Sequence, residues 1–272
     1  MNHTPERLKS RRRFLAAAVM LPVVGAAPIA LDRLRTSTPA RNDLTLRLTS
    51  NDGRHQAFAD PLADGATIYA PGGRTESTIT VRDQLTDTSQ TLRLDRNLEP
   101  EAFSPDGQIL FAIDHRPAEN PVAYRVSSVD ISAGVVTETL GPLKVSLVEE
   151  MRGSGRQQVW SPLGDQLYTL YIRQYHDHAI DQADGTHDHS EAHATDAFVH
   201  VLDVATNWAL CVDLPDGFGM GAPGTTALMI DGDGTTITAV DHALGAKVEV
   251  RRLPDDPLDP GQFSVTELIP LG

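Results

Sequence analysis

The side chains best suited to chemistry crowd into one tract. His176, His178, His187, His189 and His193, followed by His200, fall within 25 residues and account for six of the 10 histidines. Asp177, Asp181, Asp184, Asp188, Glu191 and Asp196 are interleaved with them. Two His-Asp-His triplets can set imidazoles on one side of an extended chain, and imidazole with carboxylate suits zinc, copper or nickel. Against a built centre, the spacing matches no helical ligand pair and the tract lacks thiolates. It therefore reads as a solvated insertion between strands, over about residues 174–196, with metal binding or sequestration at those histidines as the alternative. His200 lies inside a strand pattern and reads as structural.

Other constellations are weaker. Cys211, the one cysteine, sits in an apolar run and reads as an inert buried thiol, and intramolecular disulfides are impossible. Asp231-Gly232-Asp233-Gly234 begins like a calcium loop, but Thr235 stands at the third ligand place and no Glu follows at the required spacing, so it reads as a turn. Gly153-Ser154-Gly155 lacks the nucleophile-elbow pattern. No glycine loop leading into a helix offers a phosphate cradle.

The elements that must position these groups are strands and tight turns. In Phe103-Ser104-Pro105-Asp106-Gly107-Gln108-Ile109-Leu110-Phe111, Pro105 presets φ and Gly107 supplies positive φ, and an apolar strand suited to burial on both faces follows. Copies are expected at Trp160-Ser161-Pro162-Leu163-Gly164-Asp165, at Pro61-Leu62-Ala63-Asp64-Gly65 before a strand Thr67-Ile68-Tyr69-Ala70, and at Ile230-Asp231-Gly232-Asp233-Gly234. A later strand pair follows three of the turns, the first of each pair ending in Asp83, Asp130 or Asp203. Successive turns lie 44, 57 and 70 residues apart, and removing the His tract returns the last interval to the roughly 40–45 residues of a propeller blade.

With Val201-Leu202-Asp203-Val204-Ala205-Thr206-Asn207, these turns and strands resemble WD-repeat, TolB-type and YVTN-type β-propeller repeats over roughly residues 54–253. The third strands end without the Trp-Asp pair of strict WD repeats. The resemblance implies an all-β propeller of few blades, with four evident units and the strand-like Leu143-Lys144-Val145-Ser146-Leu147-Val148 left over for a fifth. It also implies closure of the ring, with Leu44-Thr45-Leu46-Arg47-Leu48-Thr49 completing the last blade beside Phe263-Ser264-Val265-Thr266-Glu267-Leu268. Such families hold binding partners as well as lactonases and related hydrolases. The hydrolase alternative implies a channel metal, for which Glu101, Asp114 and His115 are the candidates.

At the N-terminus, Arg11 and Arg12 with Phe14 and Leu15, followed by an apolar stretch over residues 16–27, resemble a twin-arginine export signal. The expected organisation is a signal segment over residues 1–30, a linker over 31–43 and a propeller-like domain over 44–272. The expected location is periplasmic, extracellular or envelope-associated, with membrane attachment only through an uncleaved signal. The five basic side chains and one acidic side chain of residues 1–30 leave −18 on the remainder of a chain whose net charge is −14. That balance opposes nucleic acid. The reading is an exported binding module for a protein or small-molecule partner at a propeller face, handled in transit by the twin-arginine translocase. Removing residues 175–195 should leave the fold intact, because long surface insertions cost little closure entropy. Zinc or copper affinity should be no tighter than micromolar in calorimetry, and a stoichiometric sub-micromolar site lost on deletion would contradict this.

Overall fold

Tight turns organise the chain into consecutive sheets. In the computed structural model, residues 44–144, 150–172, 197–222, 224–254 and 261–272 are described, and every regular element among them is a strand. β1 (Thr45–Thr49), β2 (His55–Ala59), β3 (Ser77–Asp83) and β4 (Thr88–Leu94) form the first antiparallel sheet. The second holds β5 (Asn97–Phe103), β6 (Ile109–Arg116), β7 (Ala123–Asp130) and β8 (Val135–Glu138). The third holds β9 (Ser154–Trp160), β10 (Gln166–Ile172), β11 (Ala197–Asp203) and β12 (Trp208–Asp213). The fourth holds β13 (Thr226–Ile230), β14 (Thr236–Asp241), β15 (Ala246–Arg252) and β16 (Phe263–Val265), with β17 (Ile269–Pro270) also on β15. Each sheet runs in chain order from its first strand to its fourth, which is the meander of a propeller blade. The signal segment, the linker, the His tract and Val145 to Val148 of the leftover strand lie outside the described residues.

One turn recurs between the first and second strands of every sheet. The Gly107 amide donates to the Ser104 carbonyl, the Ser104 hydroxyl to Asp106, and the Ile109 amide to the Ser104 Oγ. Ser50, Asp52 and Gly53 repeat this arrangement, with the His55 amide on the Ser50 Oγ. Ser161 plays the same part before Gly164, and Asp231 before Gly234. All four glycines have φ between +69° and +76°. The first-sheet copy is thus Ser50-Asn51-Asp52-Gly53. The expected copy at Pro61 falls in the β2–β3 connection, where Thr67 and Ala70 form only an isolated bridge. The aspartates that close the third strands accept amide protons of the next turn, from Leu85 and Thr86 for Asp83, Ala133 for Asp130 and Thr206 for Asp203.

Ring closure by a shared strand is not what the structure shows. The strand pairings join β1 to β2 and Phe263–Val265 to β15, and Leu143 and Lys144 lie in a turn. The apolar packing agrees. One cluster joins the first and second sheets through Ile79, Leu92 and Leu110, another the second and third through Phe111, Tyr124 and Tyr171, and a third the third and fourth through Leu170, Val199 and Val248. Among the described residues no such cluster joins the fourth sheet to the first. The strands β5 and β10 of the middle sheets are buried along their whole length, whereas β2, β3 and β15 alternate between buried and part-exposed positions. Among the described residues the blades therefore form an open array, with no sheet packed on the outer face of the first or the fourth.

The turns also register one blade against the next. A Cβ on Gly107 would lie 2.1 Å from the buried His55 ring, which packs tilted against Phe103, whereas a Cβ on Gly53 would meet nothing within 4 Å. Gly53→Ala should cost about 1 kcal/mol through its left-handed backbone, and Gly107→Ala roughly 2–4 kcal/mol because a clash is added. Chemical denaturation in a His55→Ala background should bring Gly107→Ala down to the Gly53→Ala figure. An unchanged cost there would contradict the contact.

Candidate functional site

The first strands of adjacent blades belong to separate sheets with no ladder between them, so side chains join them. Two of the three junctions are spanned by the extra residue of a β-bulge, which re-aims its side chain. Arg47 is the unpaired residue of β1, and its Nε donates to Glu99 Oε2 of β5 at 3.2 Å. Glu101 is the unpaired residue of β5, and Gln158 Nε2 of β9 donates to its Oε1 at 3.2 Å. At the third junction the Leu228 amide of β13 donates to Gln157 Oε1 of β9 at 2.8 Å. Glu99 also receives Arg74 at 2.6 Å. Burial raises the proton affinity of Glu99, and the Arg74 and Arg47 guanidiniums oppose that.

The junction of the second and third sheets gathers the most reactive groups. Glu101 is only 7 % exposed, and its Oε2 has no hydrogen-bond partner. Burial pushes its carboxyl up to about 7, against the lesser stabilising influence of Gln158 and Tyr171. The buried Tyr171 hydroxyl makes no well-formed hydrogen bond, although it is close enough to act electrostatically on Glu101. Tyr69 reaches over from the β2–β3 connection to stand edge-on to Tyr171, with ring centroids 5.4 Å apart. Gly155 makes room for it, since a Cβ there would lie 2.2 Å from the Tyr69 ring. Phe198, stacked at 5.1 Å, and His200, edge-on at 6.1 Å, also pack against Tyr171.

The proposed channel set of Glu101, Asp114 and His115 is not assembled. Asp114 and His115 are consecutive on β6 and so point to opposite faces. Asp114 is held by Arg96 at 2.7 Å and Arg116 at 2.8 Å. His115 Nε2 lies 2.8 Å from the Ile68 carbonyl, and burial lowers its pKa to about 4, so the neutral ring donates that bond. Among the described residues no three His, Cys, Asp or Glu side chains converge as a metal site. His176, His178, His187, His189, His193, Arg11, Arg12, Phe14 and Leu15 lie outside the described residues. His200 is fully buried on β11 as expected, whereas Cys211 is partly exposed rather than buried. Asp231 and Asp233 serve their turn through amides of Thr235 and Thr236. Sequence reasoning missed Gln158, Tyr171 and Tyr69; two glutamates, Glu99 and Glu101, flanking Pro100 within one strand were the signal for the junctions they serve.

No protein-family profile and no curated protein matches the chain. Among solved structures, Kuenenia stuttgartiensis hydrazine synthase superposes with a TM-score of 0.41 at 17 % identity, over 75 % of this chain and 51 % of its own. The β-propeller domain of the Pyrococcus furiosus trilobed protease gives 0.41 at 10 % identity, over 84 % and 58 %. Kluyveromyces lactis Hsv2 gives 0.42 at 11 %, over 84 % and 61 %. The chain spans between about half and three-fifths of the length of these structures. At these scores the likeness says nothing of activity.

The buried titrating groups fix a pH dependence. Glu101 keeps its proton up to about pH 7 when folded, against an ordinary value of 4.5. Its contribution is therefore complete below 4.5 and lost as pH rises through 7. His115 and His200 are lowered from 6.5 to about 4 by burial, so theirs is complete above 6.5 and lost as pH falls toward 4. Urea denaturation of Glu101→Gln should show its stability rising relative to wild type by roughly 3 kcal/mol between pH 4 and 8. A pH-independent difference would contradict the burial of an ionisable carboxyl there.

Proposed function

We propose that the chain is an exported protein-binding module, and that its partner presents carboxylates to the free face of the first sheet. The observation that carries this reading is the contrast between the end and middle blades. On the face of the first sheet turned from the second, Leu46, Phe58, Thr80 and Thr91 run in register across all four strands. Leu46 is 50 % exposed and Phe58 part-buried. Arg82, opposite Gln56, and Arg93, opposite Thr78, flank this row. Arg82 also pairs with Asp87 at the neighbouring turn.

An apolar centre with a polar, charged rim is the anatomy of a protein contact. A flat sheet face lacks the concavity a small ligand needs for burial. The basic rim stands out on a chain of net charge −14, and it complements an acidic surface while steering its approach. The residues named for the hydrolase reading do not converge, since Glu101, Asp114 and His115 serve different contacts. Export through Arg11 and Arg12 is part of the proposal.

Two experiments test it. Replacing Arg11 and Arg12 together by Lys should abolish export, and normal secretion would overturn that part. A photo-cross-linking side chain placed at Phe58 in the exporting cell should give one discrete adduct with an acidic protein. The same group at Leu163, 87 % exposed at a turn tip, should give none. Arg82→Glu with Arg93→Glu should reduce the Phe58 adduct at least tenfold. No adduct, equal labelling from both positions, an adduct with a second copy of the chain, or insensitivity to charge reversal would each overturn the docking face.

A further inference from the structure

His200 stands out among the buried polar groups of the molecule. It is fully buried on β11, and neither ring nitrogen has a hydrogen-bond partner. Buried imidazoles are ordinarily satisfied, so two orphan nitrogens on one ring call for a physical cause. Directly opposite it in the β11–β12 register is Cys211. Register partners project from the same face of a sheet, with Cβ atoms roughly 4.5–5.5 Å apart. That face is the one toward the second sheet, where His200 stands edge-on to Tyr171 and Cys211 packs against the same cluster.

We infer that His200 and Cys211 form a two-coordinate site for a soft monovalent metal ion, Cu(I) in the first instance. The site is distinct from the docking face and does not depend on it. One nitrogen and one sulfur at metal–ligand distances of about 2.0 and 2.3 Å span roughly 4 Å, which side chains of directly opposed residues can reach. Thiolate sulfur selects Cu(I) among the first-row ions, and imidazole is a suitable second ligand. Charge favours a monovalent ion. Binding releases the Cys211 thiol proton to solvent, and thiolate with Cu(I) then sums to zero, whereas a divalent ion would leave a net positive charge among apolar side chains. No electron is transferred. A four-coordinate zinc centre would require further ligands, and among the described residues no third His, Cys, Asp or Glu joins this pair. The partial exposure of Cys211 gives the ion a way in.

The chain has one cysteine, so any thiolate signal reports this residue alone and is blind to the imidazoles of the His tract. Cu(I), supplied anaerobically to the full-length protein from its bicinchoninate complex, should be taken up at one equivalent. An ultraviolet thiolate-to-copper band should appear, and Cys211 should become protected from a disulfide thiol reagent. Cys211→Ser should abolish band and protection, and His200→Gln should weaken the affinity at least tenfold. X-ray absorption of the wild-type complex at one equivalent should give a first shell of one sulfur and one nitrogen, a readout that stands even where His200→Gln fails to fold. Thiol reactivity unchanged by Cu(I), a shell of nitrogen alone, a shell of sulfur alone, or undiminished affinity in folded His200→Gln would overturn the site.

Discussion

No backbone ladder joins the first strands of adjacent blades, and the whole array depends on how that gap is bridged. A ladder of backbone bonds ends at each of these edges, so a side chain carries the connection. Arg47 to Glu99, Gln158 to Glu101 and the Leu228 amide to Gln157 do this at the three junctions. Bulges at Arg47 and Glu101 turn those residues out of the alternating pattern and across to the next blade. Pro100 is tolerated beside Glu101 because β5 is the first, edge strand of its sheet. The apolar clusters supply most of the burial energy, but they are non-directional. The polar bridges therefore fix which residue of one blade meets which of the next.

The same bridges account for the chemistry that collects in the middle of the array. At the junction of the second and third sheets Glu101, Tyr171 and His200 are buried and lose their solvent, although Gln158 stays exposed on β9. Glu101 is driven toward its neutral acid, His115 and His200 toward neutral imidazoles, and the Tyr171 phenol upward in pKa. Glu99 escapes that fate in part because two guanidiniums reach it. The molecule thus separates two uses of charge. Its buried groups set stability and its sensitivity to pH, whereas Arg93 stands exposed on the first sheet and Arg82 pairs there with Asp87.

Much of this was legible in the residues. Ser104-Pro105-Asp106-Gly107 announced its turn, and the copies at Ser161 and Asp231 carry the same hydrogen bonds. Ser50-Asn51-Asp52-Gly53 lacks the proline of Ser104-Pro105-Asp106-Gly107, whereas Pro61-Leu62-Ala63-Asp64-Gly65 matches that turn in composition alone. The serine or aspartate that opens the turn, whose side-chain oxygen accepts the amide five residues on, is the better marker. The alternation in Ser77–Asp83 against the denser apolar pattern of Gln166–Ile172, interrupted by Thr169, is the trace in the sequence of an end strand and a middle one. The partners of Glu101 were not legible. Gln158 lies 57 residues away and Tyr171 70, and a bulge shifts the face that simple alternation assigns.

An open array makes an unambiguous statement about which side chains water can reach. Hydroxyl-radical footprinting of the purified protein, read by mass spectrometry, tests it directly. Phe58 on the first sheet and Met229 on the fourth, the latter 51 % exposed, should be oxidised readily, with Met229 close to Met220 in rate. Met151 and Tyr171, inside the central junction, should be protected. Protection of Phe58 and Met229 to the level of Met151 would mean that the fourth blade closes onto the first, and would contradict the open array.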